Sequence, residues 1–236
     1  LTNAMESDDF ALAASARWLL QRQLGDKATA LSANTPFAAS RQSITKENWA
    51  VITPVDKHQI VMGKVISSLD GHSRSSWLGQ QEVSAALFHL FADEVGLGPV
   101  NAQRIDSELP ISDISFEQAV RFCNWLSNKA GRSPAFVIGD GVALPAGAIV
   151  VCDGIAWVAG TDGFRLPFQA ELESAARAES NQWQEIVKTP NLLSSLAHLR
   201  IAELARNSPR PCNVGMPNPF GFRDIIGNVA EFCQDP

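Results

Sequence analysis

The stretch Asn218-Pro219-Phe220-Gly221-Phe222-Arg223-Asp224-Ile225-Ile226-Gly227-Asn228-Val229-Ala230-Glu231-Phe232 decides how the rest of this chain is read. Gly221 and Gly227 suit turns in which a Cβ would clash. Asp224, Asn228 and Glu231 are hard oxygen donors gathered around the second glycine, a pattern that suits calcium. Asn228 and Glu231 would equally serve only to hydrogen-bond the loop, and the sequence leaves both readings open.

A second informative stretch lies upstream, at Gly163-Phe164-Arg165-Leu166-Pro167, followed by Phe168, Leu172, Ala175 and Ala176 at helical spacing. Arg165 and Arg177 flank a helix that carries Glu171 and Glu173, so charge-assisted pairs pinning helix to sheet are expected. Earlier still, Ser115-Phe116-Glu117-Gln118 has capping-box spacing and opens a stripe of Ala119, Phe122, Cys123 and Leu126 that ends before Gly131. From about Val83 to Val95, residues Val83, Leu87, Leu90 and Phe91 make another apolar face, with Glu82, Asp93 and Glu94 expected outside.

Short β-favouring segments fill the gaps. Trp49 to Thr53 and Gln59 to Met62 suit a hairpin. Ala135 to Val158 is β-branched and broken by turn signals at 139–141, 145–147 and 152–154. Mixed short strands and helices without regular βαβ alternation give an α+β fold. Residues 1–46 read as an extension, with an amphipathic helix from Asp8 to Leu24 ended by Gly25 and an Ala/Ser/Thr-rich linker after it. Residues 47–236 form the main domain.

Composition narrows the function classes. The 236 residues carry a net charge of -6 with no Lys/Arg cluster, which argues against a nucleic-acid partner. No apolar run approaches the roughly 20 residues of a membrane span. Cys123, Cys152, Cys212 and Cys233 lack zinc-site spacing, and their number allows either buried free thiols or one or two disulfides. His58, His72, His89 and His198 show no ligand spacing and are expected at the surface or capped.

Five collinear segments resemble the formylglycine-generating-enzyme (sulfatase-modifying factor) family. They are Ile60-Val61-Met62-Gly63; Gln81-Glu82-Val83-Ser84; Asp113-Ile114-Ser115-Phe116 with Ala119 and Phe122-Cys123-Asn124-Trp125-Leu126-Ser127; Gly163 to Pro167 with Ala170, Glu171, Glu173 and Ala175-Ala176-Arg177; and the stretch quoted first. The resemblance implies a C-type-lectin-like fold of short twisted strands, few helices and much irregular structure. It also implies a structural Ca²⁺ at the Gly-Asn-Val-x-Glu turn, with Gly227, Asn228, Val229 and Glu231 around the ion and Ile226 nearby.

Departures from the family pattern bear on activity. Ala230 and Phe232 stand where the family has tryptophans, Leu172 and Ser174 replace aromatics, and Phe168-Gln169 replaces a Thr-Glu pair. The family's oxidases place a copper-binding cysteine pair in a segment that follows this one, so the domain as read here is incomplete at its C-terminus. None of the four cysteines matches that pair, and no copper or iron site is identified. Iron oxygenases related to this family draw histidine ligands from a separate helical domain that has no counterpart here. The expectation is a non-catalytic binding or regulatory module for a protein or peptide partner. The alternative is a metal-dependent oxidoreductase of the formylglycine-generating or siderophore-maturation type, completed by residues beyond 236. The resemblance points to a bacterium and leaves periplasm or cytoplasm open.

Overall fold

The computed structural model describes residues 49–55, 58–69, 72–98, 108–177, 209–215, 217–218 and 220–235. The extension expected at 1–46, with its helix at Asp8 to Leu24, lies outside the described residues, as does His198.

Three antiparallel strands form the first sheet: β1 (Trp49–Val55), β2 (His58–Leu69) and β3 (His72–Gly79), in the order β1-β2-β3. Trp49 lies opposite Gly63, and Lys64 opposite Trp77. The hairpin is longer than the β-favouring residues suggested. β3 went unread because Ser73-Arg74-Ser75-Ser76 has no apolar alternation; the ladder of β2 supplies the pairing that intrinsic propensity does not.

Two helices follow. α1 (Ala85–Val95) is capped by Ser84, whose hydroxyl accepts from the Leu87 N–H, and it stops at Gly96 in the left-handed region. α2 (Phe116–Lys129) has the reciprocal Ser115/Gln118 capping box that the sequence announced, and Ala119, Phe122, Cys123 and Leu126 are all buried as its stripe requires. The helices meet through aromatic rings. Phe88 lies 5.2 Å from Phe91 and 5.3 Å from Phe122, and Phe91 lies 5.8 Å from Trp125. Contacts at these distances add to the hydrophobic gain of burying such large side chains.

The second sheet has the order β4-β6-β5, from β4 (Phe136–Ile138), β5 (Ala148–Cys152) and β6 (Ile155–Val158). The Asp153-Gly154 turn joins β5 to β6, and Phe136 and Ile149 both face Trp157 across their ladders. Val120 and Cys123 of α2 pack against Phe136 and Ile155 of this sheet. A short α3 (Gln169–Arg177) lays Ala175 beside Val65 of β2 and Phe222 of the C-terminal stretch. No helix among the described residues is long and apolar enough to cross a membrane.

Candidate functional site

The C-terminal stretch runs across the first sheet and is held there by steric fit and hydrogen bonds. Asn218 organises its first turn: the side-chain oxygen accepts from Phe220 N–H at 3.0 Å and Phe222 N–H at 3.1 Å, while its amide donates to the Ala175 carbonyl at 2.6 Å. Gly221, at φ 91°, leaves no room for a side chain, since a Cβ would come within 2.6 Å of the Trp49 ring. That absence lets Phe222 bury against Trp49, with ring centroids 5.5 Å apart. The Gln80 amide donates to Gly221 O at 3.1 Å and the Arg223 N–H returns a bond to Gln80 O at 2.8 Å.

The second turn contains the residues expected around an ion. Asp224 (φ 51°), Gly227 (φ 97°) and Asn228 (φ 58°) all adopt the left-handed conformation, tolerated by Asp and Asn and easy for Gly. Asn228 is buried at 1% exposure and its side chain is fully committed. Its oxygen accepts from Arg210 N–H at 3.0 Å; its amide donates to Glu82 Oε2 at 2.9 Å and to Arg210 O at 3.1 Å. Only its main-chain carbonyl remains for a cation.

Val229 donates its N–H to Glu82 Oε1 at 3.4 Å. Glu231 is exposed as a residue; desolvation of its carboxyl, with the Asp224 charge adding to the effect, raises that group to about 7.

Asp224 is the most enclosed carboxylate of the group, with its side chain at 0% exposure. The Arg210 guanidinium donates through Nε to Oδ1 at 2.9 Å and through Nη2 to the same oxygen. Oδ2 has no hydrogen-bond partner among the described residues. Gly215 makes room for this carboxylate, because a Cβ there would overlap both of its oxygens.

Glu82 and Arg210 are the two members of this cluster that the sequence reading missed. Glu82 was expected on the outer face of α1. It precedes that helix instead, half-buried over the turn, and burial pushes its carboxyl up to about 8 with Asp224 and Glu231 adding to the rise, although the bonds from Asn228 and Val229 oppose it. Its place two residues before the capping Ser84 was the available hint. Nothing local marks Arg210, which lies 14 residues from Asp224.

The donors are hard oxygens, and Asp224 Oδ2 is buried without a partner, so the turn fits Ca²⁺ in chemistry. Among the described residues no three His, Cys, Asp or Glu side chains converge as a metal-holding group. An ion here would therefore rest largely on main-chain carbonyls with one or two carboxylates.

Of the charged residues expected to pair around α3, Arg165 and Glu171 do so. Arg165 grips Glu171 through two nitrogens at 2.8 and 2.6 Å, and Glu171 also accepts from the Phe168 N–H at 2.9 Å. Burial alone would raise the Glu171 carboxyl, but these bonds bring it below the usual range. Glu173 accepts from Gln169 at 2.8 Å. The C-terminal end docks on the same helix start: Gln169 N–H donates to Asp235 at 2.6 Å and Gln234 N–H to Pro167 O at 3.0 Å.

All four cysteines are free thiols. Cys123 is buried, and desolvation pushes its thiol up to about 12. Cys212 is buried with Glu82, Asp224 and Glu108 nearby, and burial and those charges raise it further. Burial and the acids Asp235, Glu231 and Glu171 also push Cys233 up. Cys152 is exposed at the end of β5. His89, expected at the surface or capped, is buried at 3% and bonded through Nδ1 to the Ala85 carbonyl at 2.7 Å.

A family model described as "Sulfatase-modifying factor enzyme 1-like domain" matches residues 26–236. Among curated proteins, the chaperone protein LppX of Paenibacillus barcinonensis is 27% identical over 149 residues, 54% of this chain and 52% of LppX, so the chain spans about half the length of that relative. Among solved structures, Treponema denticola variable protein 1 superposes with a TM-score of 0.58 at 24% identity, covering 78% of this chain and 76% of that one. CarF gives a TM-score of 0.43 at 24% identity over 69% of this chain and 71% of its own.

Proposed function

The chain belongs to the family of sulfatase-modifying factor enzyme 1-like domains, and from that premise we propose that it acts as a non-catalytic binding or regulatory module engaging a protein or peptide partner. The observation that carries this reading is that three of the four thiols lie in surroundings that raise them, with Cys152 exposed at the end of β5. A copper-binding or nucleophilic cysteine needs a stabilised thiolate, whereas the surroundings of Cys123, Cys212 and Cys233 all favour the neutral thiol. The charged Arg165 and Glu171 and the polar Asn228 are engaged in bonds that hold the fold.

A contact surface for a partner is supported by the second sheet. Ile149 and Val150 of the outer strand β5 are 53% and 63% exposed, with Val142 and Leu144 beside them in sequence and also exposed. Among the described residues β5 is an edge strand of this sheet, and strand edges accept an extended peptide through main-chain hydrogen bonds. The relative LppX is named a chaperone, which accords with a protein partner.

The turn at Gly227, Asn228, Val229 and Glu231 takes Ca²⁺ as a structural ion in this reading, through main-chain carbonyls, the Glu231 carboxylate and Asp224 Oδ2. Calcium supplies charge compensation and stiffens the loop; it takes no part in a reaction.

Elemental analysis of the purified protein tests both statements. Calcium or no metal is expected, together with a thermal upshift in added Ca²⁺. Copper or iron retained at one atom per chain would overturn the non-catalytic reading in favour of an oxidoreductase completed by residues outside this chain.

A further inference from the structure

The Asp224 side chain is fully buried; one of its oxygens accepts from Arg210 and the other has no hydrogen-bond partner among the described residues. A carboxylate in that position needs a cation. Arg210 is also held from its main chain, where Asn228 both accepts from its N–H and donates to its carbonyl. The guanidinium is thereby positioned by the very turn whose charge it balances. Glu82 completes the clasp from the far side of the fold, through the same Asn228 amide.

We propose that Arg210 is the built-in cation of this turn and sets its requirement for calcium. The proposal rests on the reading of the turn as a calcium site. With Arg210 in place the turn closes without an ion, and calcium binds weakly against the nearby positive charge. Without it, neither buried Asp224 oxygen has the Arg210 charge beside it, and a divalent ion can supply that charge in its place. A unit charge a few ångströms away at an effective dielectric near 20 is large enough to change cation affinity about tenfold or more.

The test compares the wild-type chain with Arg210→Gln and Arg210→Lys by calorimetric titration with CaCl₂ and by thermal unfolding in EDTA and in millimolar CaCl₂. Arg210→Gln is expected to unfold at a lower temperature in EDTA, to recover in calcium, and to bind calcium about tenfold more tightly than wild type. Equal affinities for wild type and Arg210→Gln overturn the proposal and leave the calcium site standing. Binding by Arg210→Gln alone upholds it while removing calcium from the native turn. Binding by neither overturns both. Should Arg210→Gln fold under neither condition, Arg210→Lys decides. It retains the charge, so an affinity within about threefold of wild type is expected, and a tenfold gain overturns the proposal.

Discussion

The α1/α2 pair and the C-terminal turn are both buried, but they are held by opposite means. Between the helices, Phe88, Phe91, Phe122 and Trp125 interlock with aliphatic neighbours and need only shape and apolarity. At the turn, Asn228, Asp224 and Glu82 are held by named donors and acceptors with specific partners. An apolar core tolerates exchange of one hydrophobic residue for another of similar size. A buried polar network has no such tolerance, because each lost partner leaves a desolvated group unpaired.

The comparison predicts distinct responses. Phe88→Ala, at a side chain 1% exposed, should cost about 3–5 kcal/mol in a urea titration. A loss under about 1 kcal/mol would mean that the helices are not the main core. Gly221→Ala adds a single methyl at the start of the polar region, where it meets Trp49 at a positive φ, and should cost about 1–3 kcal/mol. Near-wild-type stability there would show that the Trp49 contact can yield.

Glu82 provides a pH signature that the aromatic core cannot have. Its carboxyl is raised to about 8 in the fold from an ordinary value of 4.5, chiefly by burial. The folded chain therefore holds a proton that the unfolded chain releases, and stability should fall as pH rises from about 4.5 to 8. In EDTA, Glu82→Gln should flatten that fall; an unchanged slope would assign it to other groups. Smallest of the four, Ser115→Ala removes the capping oxygen of α2 and should cost about 1 kcal/mol, measured by the same titration. The α2 helix should otherwise survive intact.

Legibility in the sequence follows the same division. The stripe Ala119, Phe122, Cys123, Leu126 and its capping box specify α2 outright, because both signals lie within a few residues of one another. The pairing of Arg165 with Glu171 could be anticipated for the same reason, since the two stand six positions apart. By contrast, β3 has no pattern of its own and exists because β2 pairs with it. Gly221 announced a tight turn, but that Trp49 is what fills the space became visible only in three dimensions.

What the sequence alone determined is the local and the homologous: the helices, their caps, the turn signals and membership of the family. What tertiary structure decided is which polar groups meet at the C-terminal turn. Glu82 stands 146 residues from Asn228 in the chain, and Arg210 stands 14 residues from Asp224. Hydrophobic burial is non-directional and can be read from periodicity, whereas a hydrogen bond or ion pair requires two particular atoms within about 3 Å. No spacing rule along the chain encodes that distance.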